Sequence, residues 1–270
     1  MKGLKKIALV AAIASAPLAS HAGMKALDDT TMGNVTGQAG VTIELETKVS
    51  IGQFVYTDEG SFTVNDIVLG GSGVAGGPGT DLLDQLKIDI DVEADGDAVI
   101  HVGSLDGMPI DWGMTASSME LIAADGSEST TLVSGLSGWG NLGALDIRVD
   151  TATDTLNLAV AFNVVDMDFD VEFLGVGIRD MAIMGGNFFE EVADNGQPIS
   201  AAGLFAVANV DVYKGDGLGD STMTDVLRID INDITMDMSI GAIEIGGASI
   251  GSIAMDNLTI SDTRLAVYGH

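Results

Sequence analysis

"KIDIDVEADGDAVIHV", residues 87–102, decides the fold class. Ile88, Ile90 and Val92 alternate with Asp89, Asp91 and Glu93. Successive side chains of a strand point to opposite faces, so this spacing predicts a strand with one apolar and one wet face. Asp95-Gly96 supplies hairpin-turn chemistry, and Val99 to Val102 reads as the return strand. Aspartate is a poor strand former. Its regular placement between β-branched residues makes sense only if that face meets water.

The plan recurs in "ALDIRVDTATDTLNLAVAF" (144–162) and in "SMELIAADGSESTTLV" (118–133), around Asp125-Gly126. The 36 glycines fall between strand patterns rather than inside helical ones. Helical spacing is confined to residues 24–35, a single turn over Asp81 to Leu86, and a short stretch over Phe188 to Val192. The expected fold is all-β, built of many short strands with one short N-terminal helix. An elongated, irregular, solenoid-like β-roll and a bent β-sandwich both fit that pattern.

A finer pattern appears four times: "FTVNDIVL" (62–69), "VGIRDMAI" (176–183), "IDINDITM" (229–236) and "IAMDNLTI" (253–260). Each reads apolar-x-apolar, two polar residues, apolar-x-apolar. The inner apolar pair, such as Val64 and Ile67, is three apart, so the alternation slips by one and the following side chains change face. A bulge or corner restores the same side to the core. Asp66, Asp180, Asp233 and Asn257 are the expected corner positions, because Asp and Asn tolerate the left-handed conformation and bond their own backbone. The uneven spacing of the copies argues against a strict solenoid.

Residues 1–22 read as an export signal. Lys2, Lys5 and Lys6 precede a short apolar run, and Ser20-His21-Ala22 is a small-x-small cleavage site. The run is too short to span a bilayer, and no later stretch supplies a transmembrane helix. Residues 23–40 would follow as a short helix and glycine turn, and 41–270 as a single β-rich domain. A loop insertion or a domain boundary falls near 187–203, where Asn195-Gly196 and Pro198 lie in a polar stretch.

The formal net charge is −29, and it becomes −32 once the leader removes three lysines and no acid. So acidic a chain repels nucleic acid. Cysteine is absent, which excludes a disulfide scaffold, thiolate chemistry and cysteine metal sites. The expected compartment is the periplasm, outer membrane or surface of a Gram-negative cell. Two tryptophans and three tyrosines are too few for the two aromatic girdles of a membrane barrel.

Catalytic constellations are lacking. His101 is the one histidine expected inside the mature fold, and no G-x-S-x-G or H-E-x-x-H run occurs. No catalytic residue and no resident cofactor are expected. Calcium is the one metal suggested. "GGPGTDLLD" (76–84) fits the nonapeptide of calcium β-rolls, but without an adjacent second copy. "YKGDGLGDST" (213–222) is a second acidic glycine loop. The calcium candidates are Asp81, Asp216 and Asp220.

The segment after the leader, "MKALDDTTMGNVTGQAGVTIEL" (24–45), carries Leu27, Asp29, Met32, Val35, Thr36, Gly37, Gln38 and Gly40. This run resembles the N-terminal signature of an uncharacterised family of exported Gram-negative proteins, a domain of unknown function. Some members are described as components of a Fil-type pilus system. The resemblance covers about twenty residues and implies pilus or surface association at most. Leu27 to Val35 falls below the roughly 12–15 residues a free helix needs in water, so it must dock to persist, either as a plug on the β core or as a tag for a partner.

The expected function is that of a non-enzymatic, exported structural or surface-associated protein, part of a pilus-like or fibre assembly. Its partners would be other surface or pilus-assembly proteins or further copies of itself. Two alternatives stand beside it: a periplasmic or outer-membrane module that holds an apolar ligand such as a lipid in an open β-roll, and a calcium-stabilised adhesin-type domain.

Overall fold

The computed structural model describes residues 40–73, 77–193 and 198–269. Leu27, Asp29, Met32, Val35, Thr36, Gly37 and Gln38, with the segments expected to form a leader and an N-terminal helix, lie outside the described residues. From Gly40 onward the chain forms one unit.

That unit is all-β. Its twelve strands are β1 (Val41–Thr47), β2 (Val49–Thr57), β3 (Ser61–Gly70), β4 (Leu83–Val92), β5 (Ala98–Ser104) and β6 (Ile110–Ile122), then β7 (Ser129–Asp150), β8 (Thr155–Val171), β9 (Val176–Met184), β10 (Ala206–Gly215), β11 (Val226–Ile245) and β12 (Ala248–Val267). Two short helices, α1 (Phe188–Ala193) and α2 (Ala201–Leu204), lie between β9 and β10. All twelve strands belong to one sheet, and the registered strand pairs are antiparallel.

The pairing resolves into eight lanes. Along β8, Val164 faces Ile183 of β9, and two residues away Phe162 faces Ala206 of β10. On the other side, Asp237 of β11 faces Met184 and Thr235 faces Val207. Thus β9 and β10 are halves of one lane, and the described residues 185–193 and 198–205 lie outside it. Likewise β3 and β4 share a lane broken at 71–82, β5 and β6 share one broken at 105–109, and β1 and β2 share one broken only at Lys48. With β7, β8, β11 and β12 each filling a lane, the result is a meander of eight long lanes. Consecutive lanes turn back on each other through hairpins, the simplest connection between antiparallel strands.

The alternation seen at residues 87–102 extends across the whole sheet. One row runs Ile43, Ile88, Val102, Leu145, Val160, Ala208, Ile234, Ile260, from first lane to last. The row two residues away runs Val41, Ile90, Ile100, Ile147, Leu158, Val210, Ile231, Thr263. On the opposite face the row reads Thr42, Asp89, His101, Asp146, Ala159, Asn209, Asp233, Ser261. One face of this half of the sheet is therefore apolar across roughly 34 Å, at the ~4.8 Å lane spacing of a sheet. Each cross-strand apolar pair contributes about 0.2–1 kcal/mol. Of the two apolar rows, only Ala208 is buried.

Several of the other buried residues lie at or beside the lane breaks. Ile110 (2% exposed) and Ala206 (0%) begin strands at the breaks in the third and sixth lanes, and Val164 (4%) on β8 and Asp237 (1%) on β11 flank the sixth-lane break from either side. Asn163 donates from Nδ2 to the carbonyl of Leu204, while its Oδ1 accepts Asn141 N at 2.8 Å. Asp237 Oδ2 accepts Phe189 N at 2.8 Å, so Asp237 and Asn163 fasten the two described ends of the insertion to β11 and β8. Within it, Glu191 accepts both the N–H and the hydroxyl of Ser200 at 2.6 Å, and Ser200 Oγ caps α2 by accepting Gly203 N–H. The Ser200 hydroxyl, more than its N–H, holds the Glu191 carboxyl below its ordinary value.

One helical expectation fails. Asp81 to Leu86 is not a turn of helix: β4 begins at Leu83, and Gln85 has φ 57°. Leu45 pairs with Leu86 but Thr47 pairs with Leu83, so β4 carries an extra residue. The three-residue spacing of Leu83 and Leu86 is the phase slip of a bulge, which imitates a helical period over so short a run.

Candidate functional site

The four corner positions fall inside strands. Asp66 on β3, Asp180 on β9 and Asn257 on β12 have φ of 50°, 51° and 54°, whereas Asp233 on β11 is not among the left-handed residues. At that third copy the extra residue is Asn232: Asn209 pairs with Asp233 and Val210 with Ile231. The slip is accommodated on the neighbouring lane, where Asp262 has φ 51°.

A left-handed residue inside a strand swings its N–H out of the ladder, and a half-buried N–H needs another acceptor. Aspartates supply it from the adjacent lane. Asp180 N donates to Asp168 Oδ1 at 2.8 Å, and Asn257 N donates to Asp237 Oδ1 at 2.7 Å. At the first copy, Ser117 donates its hydroxyl to Asp66 Oδ2 at 2.9 Å. Aspartates thus serve at both ends of these contacts.

At the Asp180 corner the carboxylates gather. Asp166 and Asp168 on β8 and Asp180 on β9 each place an oxygen within 4.8 Å of the other two. Asp166 Oδ1 is buried with no hydrogen-bond partner. Burial first, and then the charges of Asp168 and Asp180, push its carboxyl above the ordinary value. Arg179 lies alongside: its Nη2 meets Asp170 at 2.6 Å and its Nε meets Glu244 at 3.2 Å. Three carboxylates suit a hard cation, but calcium takes 6–8 oxygens, so the trio alone is an incomplete set. The run "VDMDFDVEF" (165–173) carries Asp166, Asp168 and Asp170 on one strand face. Sequence reasoning passed over it because nothing local says that Asp180 folds beside them.

A second acidic group, Glu93, Asp95 and Asp97, sits in the β4–β5 turn. Arg148 occupies it, with Nη2 at 2.6 Å from Asp97 and 3.0 Å from Glu93. Asp97, 4% exposed, also accepts the N–H and the hydroxyl of Thr151 at 2.9 Å. The Thr151 N–H and then Arg148 hold its carboxyl below the ordinary value. This group locks one turn to the next.

The calcium candidates are not drawn together. Asp81 accepts the N–H of Gly71 through its carbonyl, and Asp216 accepts from Arg228 in the same way. None of Asp81, Asp216 and Asp220 joins a cluster of three carboxylates among the described residues. Asp216 and Asp220 share the β10–β11 loop, and Asp81 lies apart before β4, which local glycine–aspartate composition could not reveal. His101 meets Asp146 at 2.5 Å on the open polar face. Of the signature, Gly40 alone is described. It is exposed, and a Cβ there would approach the Ile90 carbonyl to 2.6 Å, so a side chain does not fit beside β4. Among the described residues no helix is long and apolar enough to cross a membrane.

The class defined by these features is an open antiparallel meander with one apolar face. A family model described as a family of unknown function (DUF6160) matches residues 1–94, which run through the end of β4. No curated protein and no solved structure matches the chain.

Proposed function

We propose that this is a non-enzymatic, exported structural protein of a surface-associated, pilus-like or fibre assembly. One observation carries the reading: among the described residues the sheet ends in two long lanes with no strand on their outer sides, and much of its exposed apolar surface lies on those lanes. A soluble monomer leaves few contiguous apolar patches beyond a few hundred Å² in water, and larger ones mark contact surfaces. The export signal and the pilus-related likeness of the opening signature support the same reading. The test is cell fractionation with surface labelling, together with sedimentation and negative-stain microscopy of the recovered protein. Surface exposure and particles larger than one chain are expected; a monodisperse monomer confined to the cytoplasm overturns the reading.

A second reading is favoured by the apolar face itself. Rows such as Ile88, Val102, Leu145 and Val160, half-buried and continuous, suit the acyl chain of a lipid held in a periplasmic or outer-membrane module. Native mass spectrometry tests it: lipid mass retained on the folded chain supports binding, and a bare chain from gentle extraction overturns it.

A further inference from the structure

We propose that two copies of this chain stack face to face, each covering the other's apolar face in the half of the sheet that holds β4, β5 and β10, to make a two-layered sandwich. This inference rests on the assembly reading above and gives it a first contact.

The face is larger than the two rows that begin at Ile43 and Val41. A third row runs from Val92 through Val149, Leu156 and Ile229 to Leu265. No residue of the three rows is charged. Every one except Ala208 keeps part of its surface in water, up to 67% at Val92. The twelve strands form one sheet, so among the described residues no second sheet lies on these rows. A sheet with one apolar face needs a further layer to bury it.

Size selects the occupant. At ~3.4 Å per residue the three rows occupy about 20 Å, and at ~4.8 Å per lane they run for about 34 Å, so the face offers roughly 700 Å². A standard interface buries about 800 Å² per partner. Residues 23–39 are too few to cover it: wound as one helix they would be about 26 Å long and about 10 Å wide, or about a third of the face. A second copy brings a face of equal area, and stacked sheets pack about 10 Å apart with their strands within about 30° of each other.

Charge selects the same occupant. Lys87, Arg148, Arg228 and Arg264 alternate with residues of these rows and therefore stand on the opposite face, with Asp89 and Asp146. An anionic bilayer draws proteins in through cations beside the apolar face, and the three rows contain none. Two copies in contact leave both acidic faces in water. Those faces stand more than about 10 Å apart, beyond the Debye length of about 8 Å at 0.15 M salt but well within the 30 Å or so at 0.01 M. The net charge of −29 therefore opposes the contact weakly at the higher salt and strongly at the lower. Because the same rows meet on both copies, the contact is isologous and closes on a two-fold axis.

Leu158 lies at the centre of the face, between Ile147 and Val210, and Ala159 beside it points to the opposite one. The full chain is expressed, recovered folded without detergent and followed by sedimentation velocity at 0.15 M salt. A two-chain particle is expected, at least tenfold weaker at 0.01 M salt. Leu158→Lys, with folding checked by circular dichroism, is expected to weaken it at least 100-fold, and Ala159→Lys less than threefold. The chain has no cysteine, so Leu158→Cys carries a single thiol. A maleimide is expected to modify it at least tenfold more slowly than Ala159→Cys, a readout that needs no charged variant. A monomer that retains lipid mass in native mass spectrometry gives the face to lipid and overturns the proposal. Larger particles in which Leu158→Cys reacts as fast as Ala159→Cys overturn the face pairing and leave the assembly reading standing; a bare monomer at every concentration overturns both.

Discussion

Buried on β11 beside the break between β9 and β10, Asp237 accepts the backbone N–H of Asn257 at 2.7 Å through Oδ1, and its second oxygen accepts Phe189 N at 2.8 Å. A single carboxylate therefore serves both the bulge on β12 and the start of α1. Asp237→Ala orphans two N–H groups, each costing about 1–3 kcal/mol when buried. A loss of about 2–5 kcal/mol is expected from the urea midpoint at unchanged slope, with Asp237→Asn losing less because one acceptor remains. A loss below about 1 kcal/mol would remove Asp237 from this role.

Asp97 gives the fold an acid-sensitive clasp. Its folded pKa lies below the ordinary 3.8, through the Thr151 N–H first and Arg148 next. A depressed carboxylate stabilises the native state above its unfolded value and loses that stabilisation as pH falls through the folded one. Wild-type thermal stability should therefore drop on acidification below pH ~3.8, and Asp97→Asn should flatten that part of the curve while lowering Tm at pH 7. Parallel curves for the two proteins would contradict it.

Asp166 has the opposite sign. Burial and the neighbouring charges of Asp168 and Asp180 raise its folded pKa above the ordinary 3.8. The proton is bound more tightly in the native state, so protonation stabilises below the unfolded value and that gain is lost as pH rises through the folded one. At pH 7 Asp166→Asn should raise Tm, because it removes a like charge and supplies an amide donor for its neighbours. An unchanged or lower Tm at pH 7, with native circular dichroism, would show that the charge is offset by something else.

Backbone shape is tested at Asp180, with φ 51°. A β-branched residue resists this conformation by roughly 1–2 kcal/mol, whereas glycine adopts it freely. Asp180→Val should therefore destabilise more than Asp180→Gly in chemical denaturation. Across the ladder, a Cβ on Gly241 would stand 2.8 Å from Asp180 Cβ, so Gly241→Ala should cost about 1–3 kcal/mol as an overpacked contact. Equal stability of the three variants and wild type would mean that the corner carries no strain.

Much of the fold was legible along the chain. Ile88, Ile90 and Val92 against Asp89 and Asp91 declared a one-sided strand, and Asp95-Gly96 declared its turn; β4, β5 and the positive φ of Gly96 follow. The three-residue spacing at "VNDI" marked a slip, and Asp66 sits there with φ 50°. The same spacing at Leu83 and Leu86 was misread as helix, because a bulge and a helical turn both set apolar residues three apart. The carboxylate trio was hidden for a different reason: Asp168 and Asp180 are joined by pairing between β8 and β9, not by any local motif.

The sequence by itself determined the strand period, the turns and the two-faced character of the sheet, because side-chain alternation is a property of each strand alone. Only the tertiary structure decided that twelve strands share eight lanes, that buried Asp237 and Asn163 pin the insertion at the lane breaks, and that Ile43 and Ile260 end one row. Those facts depend on which strands pair and in what register, and hydrogen bonds between distant segments fix them where no single stretch of chain can.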